Sequence, residues 1–547
     1  MFIFRNTAIN LSSFYFNLLL SLTLAVFYNN ALWKLLFAES IRPFWKTALF
    51  NLSFLVFLTA VLTLFLSLMT VKYLHKPLAI ALLTSAAFAS YFMNAYGIVY
   101  DVTMIQNTVE TDTKEVLDML SPALYWHILF YALLPSVFVL KIKISYRRFY
   151  KECLVRLGVI IACVLTVVIN LGAFYKDYSS TFRNHGEIRN LAIPSSYIYY
   201  STLYFSGAYL QPDLPFVHIG QDAKLNEKWS SNTKKVVTVL VVGETARAMN
   251  FSLNGYQRET NPMLAKLPIV NFSDVSACGT STAVSLPCMF SHMERRNFDS
   301  WGAKNTDNLL DILQRAGFNV LWRDNNSGCK GVCKRVDNQA LAAYKDEAYC
   351  NERECFDEVM LANLDEYIDK SDKNTVIVLH QNGSHGPAYS KRYPQRFKVF
   401  TPTCETADLS ICEQQDIINS YDNSILYTDY FLSQVIAFLD ERSDKFSSAM
   451  LYVSDHGESL GENNMYLHGF PYSMAPATQI KVPFVSWYSK DFMQRFNIDT
   501  QCLNNNQQPL THANLFHSVL GLMGVNTEVY QAPLDVYSRC RTTDRGE

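Results

Sequence analysis

Glu244, Asp455 and His456 each stand just after a short run of apolar, β-branched residues, and together they offer two carboxylates and one imidazole. That O/O/N set suits Zn²⁺, which takes such ligands in tetrahedral geometry and, with three protein ligands, leaves a fourth position open. An ion held there lowers the pKa of a bound hydroxyl and stabilises charge on a phosphoryl oxygen. The segment Cys278-Gly279-Thr280-Ser281-Thr282-Ala283-Val284-Ser285-Leu286-Pro287-Cys288 supplies hydroxyls, closed at both ends by cysteine. A disulfide across it would hold a nucleophile in close position. Spacing alone leaves Thr280, Ser281 and Thr282 as alternatives. If Thr282 opens a helix, a phosphate adduct on it meets free backbone N–H groups and the positive end of the helix dipole. Further polar groups follow other apolar runs: Asp324, Asn325, Asn326 and Ser327 with Lys330, then His385, and finally His468. Any one of these is ordinarily a solvated loop residue or a satisfied histidine. Their repeated placement after strand-like runs is what marks a site.

The elements that must position them are short β-rich runs at 236–242, 318–322, 375–380, 449–454 and 482–488. They alternate with helical patterns at 306–316, 356–368 and 413–442. Strands alternating with helices predict an α/β domain with a mostly parallel sheet covered on both faces, and such sheets bind ligands at the carboxyl ends of their strands.

The chain is 547 residues long, too long for one compact domain. Its formal net charge of −2 provides no basic field, which argues against a nucleic-acid partner. Five uncharged apolar runs lie at 11–32, 47–71, 77–100, 121–140 and 157–175, each about the 20 residues needed to span a bilayer as a helix. They exclude a soluble cytosolic protein. The loop at 141–156 carries Lys141, Lys143, Arg147, Arg148, Lys151 and Arg156 against Glu152, whereas the loop after the third run carries Asp101, Glu110, Asp112, Glu115 and Asp118 against Lys114. The positive-inside rule then places the N-terminus in the cytoplasm and everything after residue 175 outside it. The expected division is a transmembrane domain at 1–175, an interfacial connector at 176–235 and an exported domain at 236–547. Within the connector, Tyr199, Tyr200, Tyr204 and Phe205 suit either a lipid surface or ordinary packing.

Cysteine usage tests the compartment independently. Ten of the twelve cysteines follow residue 270, an even number in the exported part, as expected of disulfides in an oxidising compartment. The simplest scheme pairs sequence neighbours: 278 with 288, 329 with 333, 350 with 355, 404 with 412, and 502 with 540. A zinc ribbon of Cys329, Cys333, Cys350 and Cys355 is the competing scheme.

Taken together, Glu244, the Cys-Gly-Thr-Ser-Thr segment, Asn325-Asn326-Ser327 with Lys330, His385-Gly386-Pro387, and Asp455-His456-Gly457-Glu458-Ser459-Leu460-Gly461-Glu462 leading to His468 resemble the phosphoethanolamine transferases. Within that family the chain is most similar to the lipid A group, which includes the mobile colistin-resistance enzymes. The resemblance covers the whole chain. It implies an inner-membrane protein with five spans and a periplasmic domain of the alkaline-phosphatase/sulfatase superfamily. It also implies Thr282 as nucleophile and metal ligand, with Glu244, Asp455 and His456 completing a Zn²⁺ site and the histidines able to contact a second zinc or donate protons. Asn326, Ser327, Lys330, His385 and His468 would surround the phosphoethanolamine group. The implied donor is phosphatidylethanolamine and the implied acceptor a lipid A phosphate, so that the surface loses negative charge and binds cationic peptides more weakly.

Asn107, Thr111 and Glu115 recur every fourth residue, a spacing that predicts one helical face. The resemblance implies a role in holding the donor lipid, with Glu115 drawing the ethanolamine ammonium; a solvated acidic loop is the alternative. Rival functions are transfer to another envelope acceptor such as a core sugar, transfer of glycerol phosphate, and a sensor or transporter with an inactive periplasmic binding domain. A sulfatase is disfavoured, because no Cys-x-Pro-x-Arg or Ser-x-Pro-x-Arg signature surrounds Thr282.

Overall fold

The computed structural model describes residues 9–38, 43–69, 71–111, 113–209, 215–229, 234–341, 348–350 and 355–541; Asp112 of the acidic loop lies outside them. The chain forms two compact units, 1–105 with 120–204, and 106–119 with 205–547. The 106–119 segment, which falls between two apolar helices in sequence, therefore belongs to the second unit. The expected connector is divided at residues 204 and 205.

The first unit is helical. α1 (Ser13–Phe27) and α2 (Asn30–Ala38) come from the first apolar run, which a 60° bend breaks into two helices. Asn29 explains the break. Its buried amide donates to the Leu24 carbonyl (2.9 Å) and to the Ile193 carbonyl (2.9 Å), and its oxygen accepts from the Ile193 N–H (2.7 Å). A side chain that satisfies backbone groups in this way competes with helix continuation. α3 (Phe44–Met69) and α4 (His75–Tyr96) follow, then α5 (Val102–Glu110), whose residues from Gln106 on belong to the second unit, and α6 (Thr113–Asp118) of the second unit. α7 (Pro122–Lys141) and α8 (Phe149–Ala173) complete the apolar set. Among the described residues four helices are long and apolar enough to cross a membrane, or five if the bent pair counts as one span.

The second unit is built on one eight-stranded sheet. Its strands are β1 (Lys235–Gly243), β2 (Val270–Ser276), β3 (Asn319–Asp324), β4 (Asp337–Ala340), β5 (Thr375–His380), β6 (Phe446–Ser454), β7 (Lys481–Tyr488) and β8 (Leu510–Thr511). They lie in the order β8-β2-β7-β6-β1-β5-β3-β4. Every neighbouring pair is parallel except those of β7, which runs antiparallel to both β2 and β6. The mostly parallel sheet is thus as expected, with β7 reversed.

β1, β5 and β6 are central and buried along almost their whole length, which explains why they read as continuous apolar runs rather than alternating ones. Helices from this unit include α9 (Thr282–Met289), α10 (Leu309–Arg315), α11 (Gln414–Asp440) and α12 (Ala513–Leu522). α10 carries a capping box, with the Asn308 side chain on the Leu310 N–H and Asp311 returning to the Asn308 N–H. The pattern at 356–368 does not form one helix. A 3₁₀ turn at Asp357–Leu361 and a helix at Leu364–Asp369 flank Asn363, whose φ of +55° no right-handed helix accommodates.

All ten exported cysteines pair with sequence neighbours: 278–288, 329–333, 350–355, 404–412 and 502–540. The zinc-ribbon alternative is excluded by the 329–333 and 350–355 disulfides. Cys153 and Cys163 are free thiols of α8.

Candidate active site and metal centre

β1, β5, β6 and β3 end close together, so their carboxyl edge gathers side chains that lie far apart in sequence. Glu244 follows β1 and is fully buried. Asp455 and His456 follow β6, which pairs with β1 in a parallel register that sets Gly243 opposite Ser454. The residues that come next on the two strands are therefore neighbours, and ligand atoms of Glu244, Asp455 and His456 lie within 4.8 Å of one another.

Ser281 caps α9 and Thr282 is its first residue. The Thr282 hydroxyl lies 3.1 Å from Glu244 Oε1, 3.2 Å from Glu244 Oε2 and 3.4 Å from His456 Nε2. Of the three candidate hydroxyls, it is therefore the one directed at the cluster. Thr280 instead donates to the Phe470 carbonyl (2.6 Å). Two glycines allow the close approach. A Cβ on Gly279 would lie 2.9 Å from the Ser285 backbone nitrogen, and one on Gly457 would lie 2.1 Å from the Thr478 carbonyl oxygen.

The electrostatics fit a cation. Asp455 Oδ1 accepts from the Thr245 N–H (3.2 Å) and the His456 N–H (2.7 Å), whereas Oδ2 is buried with no hydrogen-bond partner among the described residues. A buried polar atom left in this state requires a partner. His456 Nδ1 lies 2.9 Å from the Gly457 carbonyl, which orients Nε2 toward the carboxylates. Burial pushes the Asp455 carboxyl up to about 6, and the neighbouring Glu244 charge adds to that shift. Burial acts the same way on Glu244, but the hydrogen bond and charge of His456 outweigh it and hold Glu244 well below the usual carboxylate range. Burial opposes the charge on His456, yet Asp455 and Glu244 raise it to about 10. The cluster thus draws positive charge to itself, and the donor set, with an Asp455 Oδ2 that has no hydrogen-bond partner among the described residues and only the His456 ring 3.4 Å away, fits a divalent metal.

Around Thr282 a small open pocket is lined by Asn107, Glu110 and Thr111 from the 106–119 segment, and by Ser281, Ala283, Ser327, Lys330, His385 and His468. Lys330 donates to Ser327 Oγ (3.2 Å), and its backbone sits at φ +49°. His468 Nδ1 lies 2.8 Å from Glu458 Oε2, and Tyr389 donates to the other oxygen of Glu458 (2.6 Å). The His385 and His468 rings are 5.3 Å apart, and burial pushes His385 down to about 3.

Asn326 takes a different place from the other predicted residues. Its amide donates to Glu244 Oε2 (2.6 Å) and to the Gln381 carbonyl (2.9 Å), so it orients the carboxylate rather than lining the pocket. The single helical face expected of Asn107, Thr111 and Glu115 is corrected. α5 ends at Glu110 and α6 begins at Thr113, with Thr111 between them donating its hydroxyl back to the Asn107 carbonyl (2.5 Å). Glu115 lies on α6, and its side chain is outside the described ones.

Sequence reasoning missed three supports. His380 at the end of β5 lies 3.0 Å from Asp324 and 3.8 Å from Glu244. His512 is buried between three segments: its Nδ1 accepts from the Cys278 N–H (3.1 Å) and lies 3.2 Å from Ser285 Oγ, while Nε2 lies 2.9 Å from the Ser454 carbonyl. Glu110 bonds Lys304 and Gln106. His380 ends a strand already identified, a signal that could have found it; His512 and Glu110 carry no such local mark.

Comparison with known proteins agrees with this geometry. The sulfatase family profile matches residues 237–525, and the profile "Phosphoethanolamine transferase EptA/EptB" matches residues 58–209. Phosphoethanolamine transferase EptA of Escherichia coli K12 is 42% identical over 534 residues, covering 96% of this chain and 97% of that protein. Phosphatidylethanolamine transferase Mcr-1 of Escherichia coli is 43% identical over 429 residues, covering 77% and 79%. Among solved structures, the integral membrane lipooligosaccharide phosphoethanolamine transferase A of Neisseria meningitidis superposes with a TM-score of 0.94 at 37% identity, covering 98% of this chain and 100% of that one. With its apolar helices and its periplasmic α/β domain, the chain belongs to the family of membrane-bound phosphoethanolamine transferases that contains EptA and Mcr-1.

Proposed function

We propose that the protein transfers phosphoethanolamine from phosphatidylethanolamine to a phosphate group of lipid A through a covalent adduct on Thr282. The observation that carries this reading is the Thr282 hydroxyl, placed at the start of α9 and 3.1 to 3.4 Å from Glu244 and His456. In the first half-reaction the Thr282 oxygen, giving its proton to solvent, attacks the donor phosphorus, the phosphorus–oxygen bond to diacylglycerol breaks, and diacylglycerol leaves as the alcohol. His468, whose Nδ1 lies 2.8 Å from Glu458 Oε2, would give that oxygen its proton. In the second, a lipid A phosphate oxygen attacks the same phosphorus, the bond to Thr282 breaks, and the Thr282 oxygen takes back a proton from solvent. The covalent route divides one transfer between two lipids into two easier steps.

Glu244, Asp455, His456 and Thr282 would hold Zn²⁺, which when bound supplies charge stabilisation at the phosphoryl oxygens and lowers the hydroxyl pKa. The start of α9 presents N–H groups to the adduct, and Lys330 and Ser327 line the same pocket. Asn107 and Thr111 reach that pocket too and would hold the donor headgroup. Replacing surface phosphate charge with an ammonium accounts for a role in resistance to polymyxin and other cationic peptides.

Mass spectrometry of lipid A from cells with and without the protein tests the reading. The expected result is a gain of one phosphoethanolamine group; unchanged lipid A would overturn the acceptor assignment.

A further inference from the structure

The transferred group has two charged ends, a phosphate and an ammonium, and they need opposite partners. Phosphate meets Thr282, the α9 N-terminus and Lys330. The ammonium requires a carboxylate, and Glu244 is committed to the metal cluster. Among the described residues lining the pocket, the one carboxylate is Glu110 at the end of α5. Its Oε1 accepts from Lys304 Nζ (3.1 Å) and from Gln106 Nε2 (3.1 Å), and Gln106 also reaches the carbonyl of Ala283, next to Thr282 (3.4 Å). Among the described residues no donor meets Oε2. The side chain is about one-fifth exposed, so a headgroup entering the pocket can reach it.

Building on the proposed transfer, we propose that Glu110, in place of the Glu115 that the resemblance implies, is the carboxylate that recognises the ethanolamine ammonium and sets donor headgroup specificity. Lys304 is its resting counter-ion. Gln106 fixes the carboxylate relative to α9, so the distance between the ammonium and the attacked phosphorus is held by the protein. A primary ammonium bonds Oε2 directly and shares the charge with Lys304, whereas an uncharged headgroup leaves that oxygen unpaired. The simpler alternative is a latch in which the Glu110–Lys304 pair only ties the 106–119 segment down.

The two readings separate in full-length protein in lipid–detergent micelles, with diacylglycerol release as the assay. O-phosphoethanolamine and propyl phosphate, which lacks the ammonium, serve as competing soluble ligands, and the ratio of their inhibition constants is the readout. Glu110→Gln keeps the shape and removes the charge, so the preference for O-phosphoethanolamine should fall by about tenfold, with propyl phosphate little changed. Lys304→Ala removes the competing cation, so the preference should stay or rise. If Glu110→Gln left the ratio at the parent value, or if Lys304→Ala lowered it as Glu110→Gln does, the latch would stand and the inference would fall. Failure of the parent itself to release diacylglycerol from phosphatidylethanolamine would instead overturn the proposed function.

Discussion

Replacing Asp455 by Asn separates metal binding from folding. Asn is isosteric, so its oxygen can keep the two bonds that Asp455 Oδ1 accepts from the Thr245 and His456 N–H groups. The position of Oδ2, which has no hydrogen-bond partner among the described residues, then becomes an NH₂ group pointing into the cluster. The fold should change in stability by no more than about 1 kcal/mol when metal is absent. Zinc loses a charged ligand, at a cost of about 3 kcal/mol, or roughly two decades in Kd. At a zinc concentration about a thousand times the parent Kd, metal stabilises the parent by about 4.1 kcal/mol; the same concentration should stabilise the variant by only about 1.4 kcal/mol. Competition with a coloured chelator measures Kd, and thermal unfolding with zinc and with chelator measures stability. An unchanged Kd would refute the ligand assignment. A loss of several kcal/mol in chelated protein would show that Asp455 acts through the fold instead.

Thr282→Ala should abolish transfer while zinc binding falls less than in Asp455→Asn, and mass spectrometry of trapped parent protein should find the adduct on Thr282; an adduct on Thr280 or Ser281 would place the nucleophile elsewhere. Burial holds His512 down to about 4, below its unfolded value near 6.5, so its contribution to stability is present above pH 6.5 and is lost as pH falls toward 4. His512→Gln, compared with the parent in chelated protein by thermal unfolding from pH 8 to pH 4, should flatten that decline by up to roughly 3 kcal/mol; equal slopes would show that His512 is not the group titrating. Replacing Cys278 and Cys288 together by Ser opens a loop with a sequence separation of 10 and should cost about 2–3 kcal/mol by denaturant unfolding, together with transfer activity, because the loop carries Thr282. Full activity in that variant would show that packing alone holds the nucleophile.

Much of the site was legible in the sequence because β1, β5 and β6 are long apolar runs, buried on both faces, with polar residues placed immediately after them. Strand termini in a parallel sheet share one edge, so Glu244, Asp455 and His456 could be placed together from local pattern. Neighbour pairing of the ten exported cysteines was equally local. Other features depend on side chains meeting across long sequence separations. Asn29 breaks the first apolar run by bonding Ile193, a contact that hydropathy does not encode. Asn326 turns to Glu244 instead of the pocket, and His512 joins segments near residues 278 and 454 from a position marked by no motif. α5 ends at Glu110, which places that carboxylate, with Asn107 and Thr111, in the pocket beside Thr282. Local sequence determines which elements form and which residues stand at their ends, because periodicity and capping act over a few residues. Which of those residues share hydrogen bonds or a pocket was decided only by tertiary packing, because those contacts depend on where the whole chain brings distant segments together.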